Sequence, residues 1–396
     1  MTNRRAPFET STIVAAATAL CATLAPALGC SGPPAATPPA TGGDPAPADV
    51  RTGDPGAPAL VLDKHVVADA AARGAVCNDG SPAIYYRRRG TGAGARRFVI
   101  ELTGGMFCSN NADCDRRAVQ APALVSSLNA ASSKPGPGIL SIDPALNPDF
   151  YNANHVSIAY CSSDNWSGDR AAETATNSRA FRGRKIVQAV TEDLLDPTLT
   201  PAPNLADATD VLLVGESAGG MGVMQNLDWL AGALAPTPVR GLNDAGWFVH
   251  VAAYDAGLPG LAAWMLEGLG YWQAKVDASC AAAHAADASV CYFGADIYPE
   301  LTTPILVHAS QRDGNIIGAL GVTPPPDAAE AAYVESYAAA VRDSLASVSA
   351  AFANAGRDHT LVDSDKLDSV KIAGTSLRDL VGRWYFERGG EVRLIE

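Results

Sequence analysis

The chain has 396 residues, 47% of them hydrophobic and 18% charged, enough to bury one large core or two smaller ones. Its formal net charge of −13 argues against a nucleic-acid partner, because phosphate binding needs clustered Lys and Arg. An acidic surface is otherwise ordinary for a soluble protein and narrows the function no further.

The N-terminus reads as an address. Arg4 and Arg5 precede an apolar, uncharged run over residues 11–29, which has the anatomy of a secretory signal peptide and is marginal in length for a membrane span. It ends in Ala27-Leu28-Gly29-Cys30. This resembles a bacterial lipobox with the Leu one place nearer the Cys than usual, and it predicts lipidation of Cys30. The alternative is a plain signal peptide cleaved nearby. Residues 31–57 are mostly Pro, Gly, Ala and Thr, with almost nothing to bury, so 30–57 is expected to be a disordered tether. The expected product is exported, either secreted or held to the bacterial envelope by lipid alone, and monomeric.

From residue 58 to 396 the pattern predicts one domain of alternating strands and helices. Residues 98–102 form a short apolar strand followed by Gly104 and Gly105, and residues 155–160 a second strand. Residues 181–195 have helical spacing, with Ile186, Val187, Val190 and Leu194 on one face. Residues 211–214 (VLLV) form a fully apolar strand, as a buried parallel strand should. A helix follows over 218–230, a strand over 304–308, and a long Ala-rich helix over 328–355. Strands alternating with helices imply an α/β fold, a mainly parallel sheet flanked by helices.

Directly after the 211–214 strand comes Gly215-Glu216-Ser217-Ala218-Gly219, which fits G-x-S-x-G. The pattern makes a sharp strand-to-helix turn that lifts the serine hydroxyl above the sheet, with helix N–H groups aimed at it. The fold expected is therefore α/β-hydrolase-like, with Ser217 as nucleophile. A nucleophilic serine needs a base, and the base an orienting carboxylate, in the chain order Ser, acid, His. Asp313 follows the 304–308 strand, and only His359 comes after it. Asp255 competes for the acid role. His308, His250 and His155 occupy strand positions and are expected to be structural; His284 is expected to be exposed, and His65 has no motif around it. The oxyanion needs two donors: the N–H of Ala218, and one from the 103–108 loop, which contains Met106 and Phe107.

Cysteine arithmetic agrees with export. Setting aside Cys21 and Cys30, six of the eight cysteines remain, and an even count suggests disulfides. Cys108 with Cys114 and Cys280 with Cys291 can close small loops, which leaves Cys77 with Cys161; buried free thiols are the alternative. With no C-x-x-C, H-x-H or H-E-x-x-H spacing, no metal is expected.

These pieces resemble the pectinacetylesterase/Notum family of carboxylesterases. The resemblance spans Cys77 to about Phe386. It is carried by Cys77-Asn78-Asp79-Gly80-Ser81-Pro82, the Gly104-Gly105 loop with Cys108 and Cys114, Gly138-Ile139-Leu140-Ser141 and Asn147-Pro148-Asp149-Phe150-Tyr151-Asn152. Tyr160-Cys161, Ser167-Gly168-Asp169, Phe181-Arg182-Gly183, Ser217-Ala218-Gly219-Gly220 and Gly374-Thr375-Ser376-Leu377 continue it. It implies Ser217, Asp313 and His359 as the triad, Met106, Phe107 and Ala218 around the oxyanion, and no cofactor. There are departures. The family loop often reads G-G-G-W-C; a Met at position 106 is expected to be tolerated only with negative φ. Cys161 is followed by Ser162-Ser163 rather than Asp-Gly, and Glu216 and Asp358 stand where the family often has Cys nearby. The implied substrate is an O-acyl ester, O-acetyl on a polysaccharide, or alternatively a longer acyl chain on a lipidated protein. Two further readings are a non-catalytic carbohydrate-binding lipoprotein and a peptidase.

Overall fold

The structure is a computed structural model that describes residues 60–396. The expected signal peptide, the tether and Cys30 lie outside the described residues. Twelve strands can be followed: β1 (Val61–Val66), β2 (Ile84–Arg88), β3 (Arg97–Leu102), β4 (Ser133–Pro135), β5 (Asn154–Ile158), β6 (Asp210–Glu216), β7 (Val239–Asp244), β8 (Ile305–His308), β9 (Ala351–Ala353), β10 (Lys371–Ile372), β11 (Thr375–Ser376) and β12 (Arg393–Ile395). All but the small β10–β11 hairpin join one sheet in the order β12-β9-β8-β7-β6-β3-β5-β2-β1-β4. From β12 across to β5 every neighbour is parallel; β2, β1 and β4 extend that edge antiparallel.

The central strands are apolar without interruption because both faces of the sheet are covered. Along β6, Val211 and Leu213 enter one core while Leu212 and Val214 enter the other. In β3, Phe98 and Ile100 divide from Val99 in the same way. The first core is roofed by the helices Gly183–Leu195, Ala218–Ala233 and Ala328–Ser344. Ile186, Val187, Val190 and Leu194 point into it, as their spacing predicts. The second core is closed by the helix Leu377–Tyr385, with Leu361, Val362 and Leu367 from the preceding segment.

One expected element is corrected. The Ala-rich helix ends at Ser344 rather than continuing to 355, and Ala351–Ala353 form β9 between β8 and β12. Alanine favours helix intrinsically, but Ala351 and Ala353 are buried in one core and Phe352 in the other. The two-sided burial of a strand overrides the propensity of its residues.

Candidate active site

Ser217 stands between β6 and the Ala218–Ala233 helix with φ 56° and ψ −120°, the strained elbow that projects a side chain off the sheet. Its N–H is held by the Asp244 carbonyl at 2.8 Å. Two glycines leave room for the turn. A Cβ at Gly219 would lie 1.8 Å from the Leu102 carbonyl oxygen, and one at Gly215 would lie 2.2 Å from that of Gly219.

The structure brings the three expected side chains together. His359 Nε2 is 2.8 Å from Ser217 Oγ, and its Nδ1 is 2.6 Å from Asp313 Oδ2. The other carboxylate oxygen, Oδ1, accepts the N–H groups of Asn315 (2.9 Å) and Ile316 (3.2 Å), so Asp313 also caps the short helix Gly314–Ala319. Both side chains are shielded, His359 14% and Asp313 6% exposed. Burial of His359 disfavours its charged form, but the hydrogen bond and charge of Asp313 outweigh it, with Asp244 and Asp363 adding to them. The imidazole is therefore held above its ordinary value of 6.5.

Around the 103–108 loop, side chains fix the backbone. Trp166 Nε1 donates to the Thr103 carbonyl at 3.0 Å, and Arg117 to that of Gly105 at 2.5 Å. Trp272 Nε1 donates to the Cys108 carbonyl at 2.7 Å, while the Glu216 carboxyl accepts the Gly104 N–H. The Cys108–Cys114 disulfide closes the segment. Met106 departs from expectation: its φ is +59°, in the left-handed region, and its side chain is 41% exposed. The conformation that glycine would adopt freely is thus imposed on a methionine by the bonds on either side of it.

Met106, Phe107, Ala218, Ser217 and His359 line one small cavity, closed by Met221, Phe248 and Ile316. The volume open to a water-sized sphere is about 10 Å³, roughly that of a single water. Phe107 is fixed edge-on between Trp264 and Trp272, with centroids at 6.0 and 5.5 Å.

The other residues singled out fall elsewhere. Asp255 is exposed and its carboxylate accepts the Gly257 N–H at 2.8 Å. His308 is fully buried in β8 against Asp244 and Asn354. In β5, His155 Nε2 donates to the Phe150 carbonyl at 2.7 Å and its Nδ1 accepts from Arg88; burial and that guanidinium push its pKa down to about 3. His250 belongs to no strand, contrary to expectation; it pairs with Asp296 at 2.6 Å and stacks on Phe293. His284, expected to be exposed, is half-buried at the end of the helix Ala278–Ala283, and His65 stacks on Tyr85. The three disulfides Cys77–Cys161, Cys108–Cys114 and Cys280–Cys291 are formed, with all six cysteines buried. Among the described residues no three His, Cys, Asp or Glu side chains gather as metal ligands would. Sequence reasoning missed Arg117, Trp166, Trp272 and Asp244, whose contacts span distant segments and leave no local motif.

An elbow serine at the carboxyl end of a central parallel strand, with a histidine and a buried carboxylate delivered by later loops, is the arrangement of the α/β-hydrolase fold. The chain belongs to the pectinacetylesterase family, whose model matches residues 57–396. It is 34% identical over 325 residues to palmitoleoyl-protein carboxylesterase NOTUM of Homo sapiens, covering 78% of this chain and 63% of the relative. It is 33% identical over 324 residues to notum1a of Danio rerio, again covering 78% and 63%. The match thus spans less than two thirds of these relatives' own length. Among solved structures, that of the Wnt deacylase Notum from Drosophila superposes with a TM-score of 0.78 at 31% identity, covering 85% of this chain and 96% of that one.

Proposed function

We propose that the chain is a serine carboxylesterase for short O-acyl esters, with O-acetyl groups on a polysaccharide as its substrate. The observation that supports this best is the continuous hydrogen-bonded relay from Ser217 through His359 to Asp313. His359 takes the Ser217 proton as Oγ attacks the ester carbonyl, and Asp313 stabilises the imidazolium that forms. The N–H groups of Ala218 and of the Met106–Phe107 segment receive the oxyanion. The alcohol leaves with the proton from His359, and a water activated by the same imidazole then releases the acid.

The cavity beside Ser217, about 10 Å³, is smaller than either acyl group and must open for both; an acetyl group needs the smaller opening, whereas larger ligands occupy pockets of about 300–1,000 Å³. The names of the relatives favour the second reading, deacylation of lipidated proteins. Three disulfides fit an oxidising compartment outside the cell, in keeping with the signal peptide and the Cys30 anchor read from the sequence. A p-nitrophenyl ester series from acetyl to palmitoyl, with Ser217→Ala alongside, tests the reading. Turnover that peaks at acetyl and vanishes in Ser217→Ala supports it; an optimum at long chains selects the deacylase. No turnover and no labelling of Ser217 by a fluorophosphonate leaves a non-catalytic binder.

A further inference from the structure

Behind the triad lies a second buried network that the reaction as written does not use. Asp244 ends β7 and is fully buried. One carboxylate oxygen, Oδ2, accepts the N–H groups of Leu361 and Val362, each at 2.8 Å; these residues follow His359 by two and three places. The other, Oδ1, meets His308 Nδ1 at the end of β8, the strand that leads into Asp313. His308 Nε2 in turn lies 3.0 Å from Asn354 Oδ1, just past β9. The main-chain carbonyl of the same Asp244 holds the Ser217 N–H at 2.8 Å. One residue therefore touches the elbow of the nucleophile, the loop of the base and the strand that delivers the acid.

We propose that Asp244 is a positioning residue of the reaction, whose carboxylate fixes the distance between the His359 loop and the Ser217 elbow. The proposal rests on the triad reading above. The His359 loop is coil, with no strand of its own to set its height over Ser217. Two N–H groups converging on one carboxylate oxygen supply that anchor, and both would be stranded in the core without it. Displacing a catalytic group by about 1 Å costs on the order of 100-fold in rate. Asp244 also faces His359 electrostatically, together with Asp313 and Asp363.

Asp244→Asn and Asp244→Ala separate this role from a merely structural one. In Asp244→Asn the amide oxygen can still serve Leu361 and Val362, while its NH2 turns to His308 Nδ1, which must then accept, with the ring proton on Nε2 opposite Asn354 Oδ1. The ties to the His359 loop persist and the charge goes. Asp244→Ala removes both. Turnover is measured on p-nitrophenyl acetate per active site titrated with a fluorophosphonate, against pH. The expected result is a kcat for Asp244→Ala reduced by about 100-fold at unchanged KM, a kcat for Asp244→Asn within about tenfold of wild type, and an acid limb of the Asn variant moved to lower pH. Wild-type kcat per titrated site in Asp244→Ala overturns the proposal. If that variant does not fold, the Asn variant decides by its kcat: with the ties to Leu361 and Val362 kept, a kcat within about tenfold of wild type supports the proposal and a loss of about 100-fold overturns it. Ser217→Ala, run in parallel, keeps the two readings apart. Loss there with full turnover in Asp244→Ala refutes the positioning role alone, whereas turnover in Ser217→Ala refutes the triad itself.

Discussion

Asp313→Asn is the sharpest test of the acid's role, because the structure dictates how the amide must sit. Oδ1 of Asp313 accepts two backbone N–H groups, from Asn315 and Ile316. An asparagine must present its carbonyl oxygen to those donors, which turns its NH2 toward His359 Nδ1. An NH2 group donates and cannot accept. His359 Nδ1 is then forced to be the acceptor, so the ring proton moves to Nε2 and faces Ser217. The imidazole is left in the tautomer that cannot take the serine proton. The same exchange in a serine-protease triad lowers kcat by about 10⁴, equivalent to about 5 kcal/mol of transition-state stabilisation. The fold should hold, since Asn caps the Gly314–Ala319 helix as well as Asp does. The assay is burst kinetics on p-nitrophenyl acetate, with thermal unfolding of the same sample. A fall in kcat of less than tenfold, with the melting temperature unchanged, refutes the reasoning and returns the acid role to another carboxylate.

Four further outcomes follow. Replacing Cys77 and Cys161 together by Ala opens a loop of 84 residues and should cost about 4–5 kcal/mol in guanidinium unfolding. Phe107→Ala removes the ring wedged between Trp264 and Trp272; it should cost about 3 kcal/mol and shift the p-nitrophenyl ester optimum from acetyl toward butyryl or hexanoyl. His359 must be neutral to act as base, so kcat/KM should rise with pH through a limb above 6.5. By linkage, the protonated ring stabilises the fold most below 6.5, and that contribution fades as pH rises through the raised value. Glu216 is pushed well above its ordinary 4.5 by burial, with Glu101, Asp363 and Asp244 adding to it against the Gly104 N–H bond. Its folded-state contribution is therefore present at low pH and lost as pH rises, and Glu216→Gln, which keeps an acceptor for Gly104, should flatten that decline in a melting-temperature profile.

What the sequence made legible was what short-range pattern encodes. The VLLV run of β6, the G-x-S-x-G turn and the 3.6-residue spacing of the Gly183–Leu195 helix each carry their meaning within a few residues. The order Ser217, Asp313, His359 was readable because only one histidine follows Asp313. β7 was not readable: Val239-Arg240-Gly241-Leu242-Asn243-Asp244 mixes an arginine, a glycine and two polar residues into a central parallel strand. The glycine fits there because a Cβ would press on Leu227 at 2.7 Å, and the two polar residues end the strand at the site. A strand that pays part of its propensity to bring Asn243 and Asp244 under the elbow looks, to periodicity alone, like a loop.

Met106 draws the fold and the site into one argument. A methionine at φ +59° costs on the order of 1–2 kcal/mol relative to an extended backbone, and its side chain is too exposed to recover that by burial. The peptides around it are held by Trp166, Glu216, Arg117 and Trp272. Each of these is anchored in turn: Trp166 and Trp272 are fully buried in the first core, Arg117 also bonds Ser163 Oγ at 2.7 Å, and Glu216 ends β6. The loop therefore cannot relax without dislodging the core. On the proposed mechanism its N–H groups would be fixed before a substrate arrives, and an oxyanion forming at Ser217 would meet donors that need not reorganise. The strain at Met106 and the rigidity of the core that sustains it are one property, read once as a backbone angle and once as a set of buried tryptophans.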